Sequence, residues 1–314
     1  MINIITTSLD GRNRGPKKVV LNLIKGLEKI GYPYVINRRL DATKRLWIHD
    51  DVSALAQLKE LSEEIKVIVG PNLFVNPENI PAKLDLSRTL YIHPSQNVLD
   101  IWKKKGYERS SIAVYPTGID TKIFSPSNAE KNTVILYFKN RTEKELTEVE
   151  KILKEKNISY ILFRYGSYKE EEYKKRLSHA RYMIWLGGYE SQGIALEEAL
   201  SCNVPILIIE KNPENEFEHG ATAAPYWSTE CGTMVTIVHF AESLDEMEQK
   251  LPFFNPRLFI EKELGLEKQA RAFIRLYQDH FGLSVEEGFK APLLSEGSWK
   301  GGRFKKLIKR LLMW

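Results

Sequence analysis

Short apolar runs alternate with stretches of helical period along this 314-residue chain, and the series starts twice. Residues 2–6 (INIIT) read as a strand, and 19–31 (VVLNLIKGLEKIG) as an apolar-periodic helix closed by a glycine. Further strands are expected at 32–39, 45–50, 66–71 and 89–94, with a helix at 52–65. Residues 114–128 (VYPTGIDTKIFSPSN) are punctuated by Pro116, Gly118 and Pro126, and a new strand, TVILYF, opens at Thr133. The alternation then repeats: helix 142–156, strand 158–166, helix 169–180, strand 181–187, a helix from about 190, strand 204–210, and a last helix over 256–281. Strand–helix alternation is the signature of an α/β fold with parallel sheets. The expectation is two such domains in tandem, 1–125 and 126–284, followed by a linker and tail over 285–314. Ligands of open parallel sheets bind beyond the carboxyl ends of the strands, so two facing sheets would share one cleft.

Composition narrows the function classes. Two cysteines, Cys202 and Cys231, are too few for a disulfide framework and form no C-x-x-C pair, which suits a reducing, cytoplasmic location. The first residues lack the pattern of a secretory signal, and no apolar run reaches the ~20 residues that span a bilayer. Lysine plus arginine total 46 against 41 acids. Residues 300–314 (KGGRFKKLIKRLLMW) hold six bases and no acid, and without them the balance is 40 to 41. A nucleic-acid binder spreads its bases over a working face, so no nucleic-acid partner is expected. In the tail, Phe304, Leu307, Ile308, Leu311 and Leu312 share one helical face, with Lys305, Lys306, Lys309 and Arg310 mostly elsewhere. An amphipathic helix of that composition suits an anionic membrane surface, which would make the protein peripheral at the inner membrane face; docking on its own domain is the alternative.

The chemistry points to residues 190–208, ESQGIALEEALSCNVPILI. Gly187 and Gly188 end a buried-looking strand, and Gly193 adjoins a helix start whose free N–H groups favour an anion. If this stretch is mostly helical, Glu190 and Glu198 lie about 12 Å apart, the reach of a sugar nucleotide with its diphosphate between. The alternative is a dipole-favoured acid followed by a surface glutamate.

Residues 190–200, followed by Cys202-Asn203-Val204-Pro205, resemble the E-x7-E signature of retaining glycosyltransferases of the GT-B fold, closest to family 4. Residues 114–126 resemble that family's interdomain V-x-P-N-G-V-D-x-x-x-F-x-P stretch, with Thr117 for the usual asparagine. His93-Pro94-Ser95 and Lys105-Gly106-Tyr107 resemble its P-S-x helix start and K-x-G exit, in the same order. The resemblance implies a metal-independent, hexosyltransferase-type enzyme of polysaccharide biosynthesis. Its donor would be a nucleotide sugar, a substrate rather than a cofactor, and no cofactor is expected. The acceptor would be a glycan or lipid-linked. Glu190 would hold the donor sugar and Glu198 the ribose. Lys139 and Lys144 stand where the family places an arginine and a lysine against the diphosphate; Arg141 either compensates or is the true ligand. Backbone amides near Gln192 and Gly193 would complete the site, with Gly15 in a glycine loop (GRNRGPKK) before the first helix. On charge alone, residues 138–144 read equally well as a solvated loop. No histidine stands near Asn72, where many family members carry one; His49 and His93 end other strands and are more often structural. His49-Asp50-Asp51 has the wrong spacing for a metal clamp, and no metal ligand set is seen. A sugar-nucleotide epimerase and a non-catalytic glycosyltransferase-like module remain open alternatives.

Overall fold

The computed structural model describes residues 1–10, 14–213 and 220–284; the tail at 300–314, with its expected amphipathic helix, lies outside the described residues, as do residues 11–13 of the glycine loop. The first sheet is built from β1 (Ile2–Ile5), β2 (Tyr34–Ile36), β3 (Arg45–Ile48), β4 (Lys66–Val69), β5 (Thr89–His93) and β6 (Ser111–Val114). Between them run α1 (Arg14–Lys29), a single turn α2 (Val52–Leu55) and α3 (Gln96–Lys104). The second sheet holds β7 (Thr133–Lys139), β8 (Tyr160–Arg164), β9 (Ala180–Gly187), β10 (Ile206–Ile209) and β11 (Gly232–Val235). Its helices are α4 (Glu143–Glu155), α5 (Glu170–Leu177), α6 (Ile194–Ser201) and α7 (Phe240–Lys250), and α8 (Pro256–Leu264) and α9 (Leu266–Phe281) end the described chain.

Both sheets are parallel, in the orders β2-β1-β3-β4-β5-β6 and β11-β10-β9-β7-β8. Helices cover both faces, which is why strands such as β1, β3, β5 and β10 are apolar along nearly their whole length and buried throughout. Each order reverses once, between β1 and β3 and between β7 and β9, and at such a switch point adjacent loops diverge and open a crevice. Lys139 and Gly187 are register partners at the second of these crevices.

Local chemistry sets the helix limits. Thr142 and Glu145 form a reciprocal capping box at the start of α4. The helix expected over 52–65 stops after the single turn Val52–Leu55 and is followed only by a 3-10 turn at Leu58–Glu60. The helix expected over 256–281 breaks at Gly265, whose extended backbone (φ −60°, ψ 144°) separates α8 from α9. β6, β11 and α7 went unread in the sequence.

The break redirects the chain. α9 leaves the second sheet and packs on α1, where a Cβ on Gly26 would stand 2.6 Å from the Leu266 carbonyl oxygen. Ala270, Phe273, Ile274 and Tyr277 join the core beneath β1 and β3, and the Tyr277 hydroxyl donates to the Leu46 carbonyl (2.7 Å). The last helix therefore ties the first domain to the second.

Candidate functional site

At the switch point of the second sheet, β9 ends in Gly187-Gly188 for steric reasons. A Cβ on Gly187 would lie 2.1 Å from Trp185 Nε1, and one on Gly188 would lie 2.8 Å from the Asn140 carbonyl oxygen. Trp185 is itself fixed by stacking on Tyr137, with ring centroids 4.3 Å apart. The loop that follows is anchored by the Glu190 N–H, which donates to the Thr222 carbonyl (3.0 Å). Lys139, at the end of β7, places its ammonium 2.7 Å from Glu190 Oε1 and 2.8 Å from Oε2. Both carboxylate oxygens thus face the one ammonium. The Glu190 side chain is 7% exposed, and burial raises its carboxyl above the usual range although Lys139 opposes the shift. The face of Tyr165 lies 4.4 Å from the same ammonium.

α6 begins at Ile194, not at Glu190, so the helical rise spans only the second half of the motif and the 12 Å separation does not apply. Gly193, just before it, is left-handed (φ 94°), a conformation that side chains disfavour, although nothing crowds a Cβ there. Among the described residues no side chain caps this helix, which leaves its first N–H groups for a ligand. The backbone amide near Gln192 is the group the sequence reading assigned to a ligand, and the Gln192 side chain has a structural use. It exchanges two hydrogen bonds with the Thr117 backbone (2.9 Å each) and donates to Glu197 Oε2 (2.9 Å). It thus pins the interdomain segment to the α6 start, and only its backbone is left for a ligand.

Glu197 and Glu198 are both buried. Burial raises the Glu197 carboxyl well above its ordinary value, and its Oε1 has no partner among the described residues. Glu198 is not a surface residue. It pairs with Lys18 of α1, whose ammonium also reaches Glu170 of α5 (3.2 Å). Burial pushes Glu198 up to about 7 against the pull of Lys18. A further contact joins the domains: the Tyr226 hydroxyl donates to the Pro94 carbonyl (2.8 Å). Lys18 ends the glycine loop GRNRGPKK, and nothing in the sequence links it to a carboxylate 180 residues away.

Other candidates separate. Arg141 is a buried strut: its guanidinium donates to Glu145 and to the Gly187 and Ile209 carbonyls (3.1 and 2.9 Å). Those carbonyls end β9 and β10, so Arg141 is neither a spare cation nor positioned as the alternative ligand. Lys144 is exposed in the first turn of α4 and pairs with none of the described residues. Gly15, in the first turn of α1, has open space around it. Asn72 is spent on His49: its amide donates to Nε2 (2.8 Å), which leaves Nδ1 facing Thr6 and Asp50. Burial works against the Asp50 carboxylate, but His49, Ser8 and the Thr7 N–H hold it well below the usual range. His93 stacks on Tyr91, and burial lowers it to about 4, so it is neutral at pH 7. Among the described residues no set of three or more His, Cys, Asp and Glu is placed to hold a metal, and no helix is long and apolar enough to cross a membrane.

Raised carboxyl groups have a consequence for stability. Glu190, Glu197 and Glu198 hold their protons more tightly folded than unfolded, so their neutral forms favour the fold at acidic pH. That contribution is lost as pH rises; for Glu198 the window runs from 4.5 to about 7. His93 works the other way below pH 6.5, because burial lowers it to about 4, so the thermal midpoint is expected to fall from pH 6.5 to pH 8, and Glu197→Gln should flatten the slope. A midpoint that rises over this interval, followed by scanning calorimetry, would contradict the assignment.

Comparison with known proteins places the architecture. No family profile and no curated protein sequence matches the chain. Solved structures do match. One is a sucrose-phosphate synthase from Thermosynechococcus elongatus, with TM-score 0.60 and 13% identity over 90% of this chain and 99% of that one. Another is a glycosyltransferase involved in avilamycin A biosynthesis, with TM-score 0.60 and 13% identity over 90% and 98%. A third is the Anabaena protein HepE in complex with UDP-glucose, with TM-score 0.57 and 11% identity over 88% and 99%. Two Rossmann-like domains with parallel sheets, aligned over 90% of the chain with two of these enzymes, give the protein the GT-B fold of glycosyltransferases.

Proposed function

We propose that the protein transfers a hexosyl group from a nucleotide-sugar donor to a glycan or lipid-linked acceptor, with retention at the anomeric carbon and without a metal. The observation that carries this reading is the Lys139–Glu190 pair at the β7/β9 switch point, beside an α6 start that no side chain among the described residues caps. In this reading the diphosphate lies on the free N–H groups of α6, where the helix dipole favours negative charge. Lys139 neutralises charge that develops on the leaving diphosphate, the moment at which a preorganised cation lowers the barrier most. Glu190 holds donor-sugar hydroxyls beside the Lys139 ammonium. Glu198 holds the ribose, and exposed Lys144 is free to swing towards the phosphates.

The acceptor is assigned to the first domain. A cavity of about 700 Å³ opens there over the carboxyl ends of β1 and β3, lined by Thr6, Thr7, Asp10, Arg38, Asp51 and Glu60 among others. Mixed acidic and guanidinium groups suit the hydroxyls of a sugar better than an apolar ligand.

A panel of nucleotide sugars with and without candidate acceptors, read by nucleotide release, names the donor and separates transfer from rearrangement or from no reaction. Glu198→Ala is expected to weaken nucleotide binding by about 10- to 100-fold, the range of a lost charged hydrogen bond. Calorimetry with undiminished UDP and GDP affinity in the Glu198→Ala, Lys139→Ala double variant refutes the site.

A further inference from the structure

Lys18 and Glu198 belong to different halves of the molecule. Lys18 rides on α1, whose Val19, Val20 and Leu23 are packed into the core of the first sheet. Glu198 sits on α6, whose Leu196, Ala199 and Leu200 are packed into the core of the second. Between them the ammonium meets two carboxylates, Glu198 and Glu170, with the Phe124 ring 5.4 Å away. Burying the Glu198 carboxylate, 3% exposed beside a Lys18 that is 21% exposed, is costly unless both partners are fixed, and here each is fixed by a separate core.

We infer that Lys18 is a positioning residue, which clamps Glu198 across the domain boundary so that the nucleotide-binding carboxylate is held charged and oriented only when the two domains are closed. This rests on the reading of Glu198 as the ribose-holding group. Lys18 bonds one carboxylate oxygen, and a carboxylate offers about four lone-pair directions, so acceptor capacity remains for hydroxyl groups. The clamp has an electrostatic side as well. Glu198 is faced by Lys18 and Lys25 from α1, by Glu170 and Tyr173 from α5, by its neighbour Glu197, and by Cys202 beyond α6. Lys18 is the cation in direct contact, while Lys25 is committed to Asp120 (3.0 Å). Without Lys18, burial and the neighbouring acids act on Glu198 with little to oppose them, and it stays protonated to higher pH. A neutral carboxyl is a poorer acceptor for two hydroxyls.

Calorimetric titration with UDP, GDP, ADP and TDP from pH 5.5 to 8.5 tests this on the full chain, in the wild type, Lys18→Met and Lys18→Arg. The wild type should lose affinity as pH falls below about 7, where Glu198 takes up its proton. Lys18→Met should bind about tenfold more weakly at pH 7, within the usual range of coupling between a conformational change and a ligand. Its affinity should recover as pH rises, because Glu198 then ionises without help. Lys18→Arg should restore the wild-type profile, and thermal unfolding of each variant reports that it is folded. A Lys18→Met protein with the wild-type affinity and pH profile overturns the inference while leaving the proposed function intact. Tighter binding also overturns it, because Lys18 would then compete with the nucleotide. A wild type that binds none of the four nucleotides overturns both.

Discussion

Lys139→Ala is expected to lower kcat by about 10²- to 10³-fold, the usual cost of removing one preorganised group from a charge-stabilising site. Lys139 stands at the end of a central strand, its ammonium held between the Glu190 carboxylate and the Tyr165 ring, so little reorganisation is needed when charge appears on a leaving phosphate. The substitution acts twice: the phosphate loses its cation, and Glu190 loses the charge that keeps it ionised. Glu190 is already raised by burial, so it accepts a proton rather than remaining a stranded anion, and the fold should lose little stability. Lys139→Arg keeps the charge and should recover part of the rate. Steady-state kinetics by nucleotide release measures both variants, and a Lys139→Ala enzyme within a few-fold of the wild-type kcat removes Lys139 from the chemistry.

Arg141→Leu should act on stability instead. Its guanidinium is 2% exposed and fills the acceptors of Gly187 and Ile209 at the ends of two adjacent strands. A leucine fills some of the volume but strands two carbonyls, at about 1–3 kcal/mol each for an unsatisfied buried group. In a chain of this size that corresponds to a drop in Tm on the order of 10 °C. Glu145 is not stranded, because the capping box with Thr142 still holds it. Below the new Tm, nucleotide affinity should stay within about threefold of wild type, less than one charge-assisted hydrogen bond contributes. The opposite pattern, unchanged Tm with nucleotide binding lost, would restore Arg141 to the ligand role left open by the sequence. Differential scanning fluorimetry and calorimetric titration together decide between them.

The α/β class, the restart of the series near Thr133 and the glycine-bearing turn before α6 were legible in the sequence. Each is written by a local rule: apolar runs of strand length, 3.6-residue periodicity, and glycine where a chain must pass an indole or turn left-handed. Glu190 and Lys139 could be named together only through the spacing of a resembling motif, and the parallel pairing of β7 with β9 makes them neighbours in space. Where local rules misled, a distant partner had intervened. Residues 256–281 read as one helix, but Ile119 bridges Gly265 and donates its N–H to the Leu264 carbonyl (2.7 Å), which separates α8 from the α9 that packs on the first domain.

What the sequence by itself determined is the α/β alternation, most of the elements in their order, and the position of the glycine-bearing turn before α6, since these depend on residues within one or two turns of each other. Tertiary structure alone decided which charges are free. Lys139, Arg141 and Lys144 look alike on one loop, yet one faces a carboxylate, one braces two strand ends and one is exposed. In the sequence Glu198 can be a ribose ligand or a surface acid, and only the packing of α1 buries it against Lys18. The environment of a charge is set by burial and by partners far along the chain, and those exist only once the two sheets have packed.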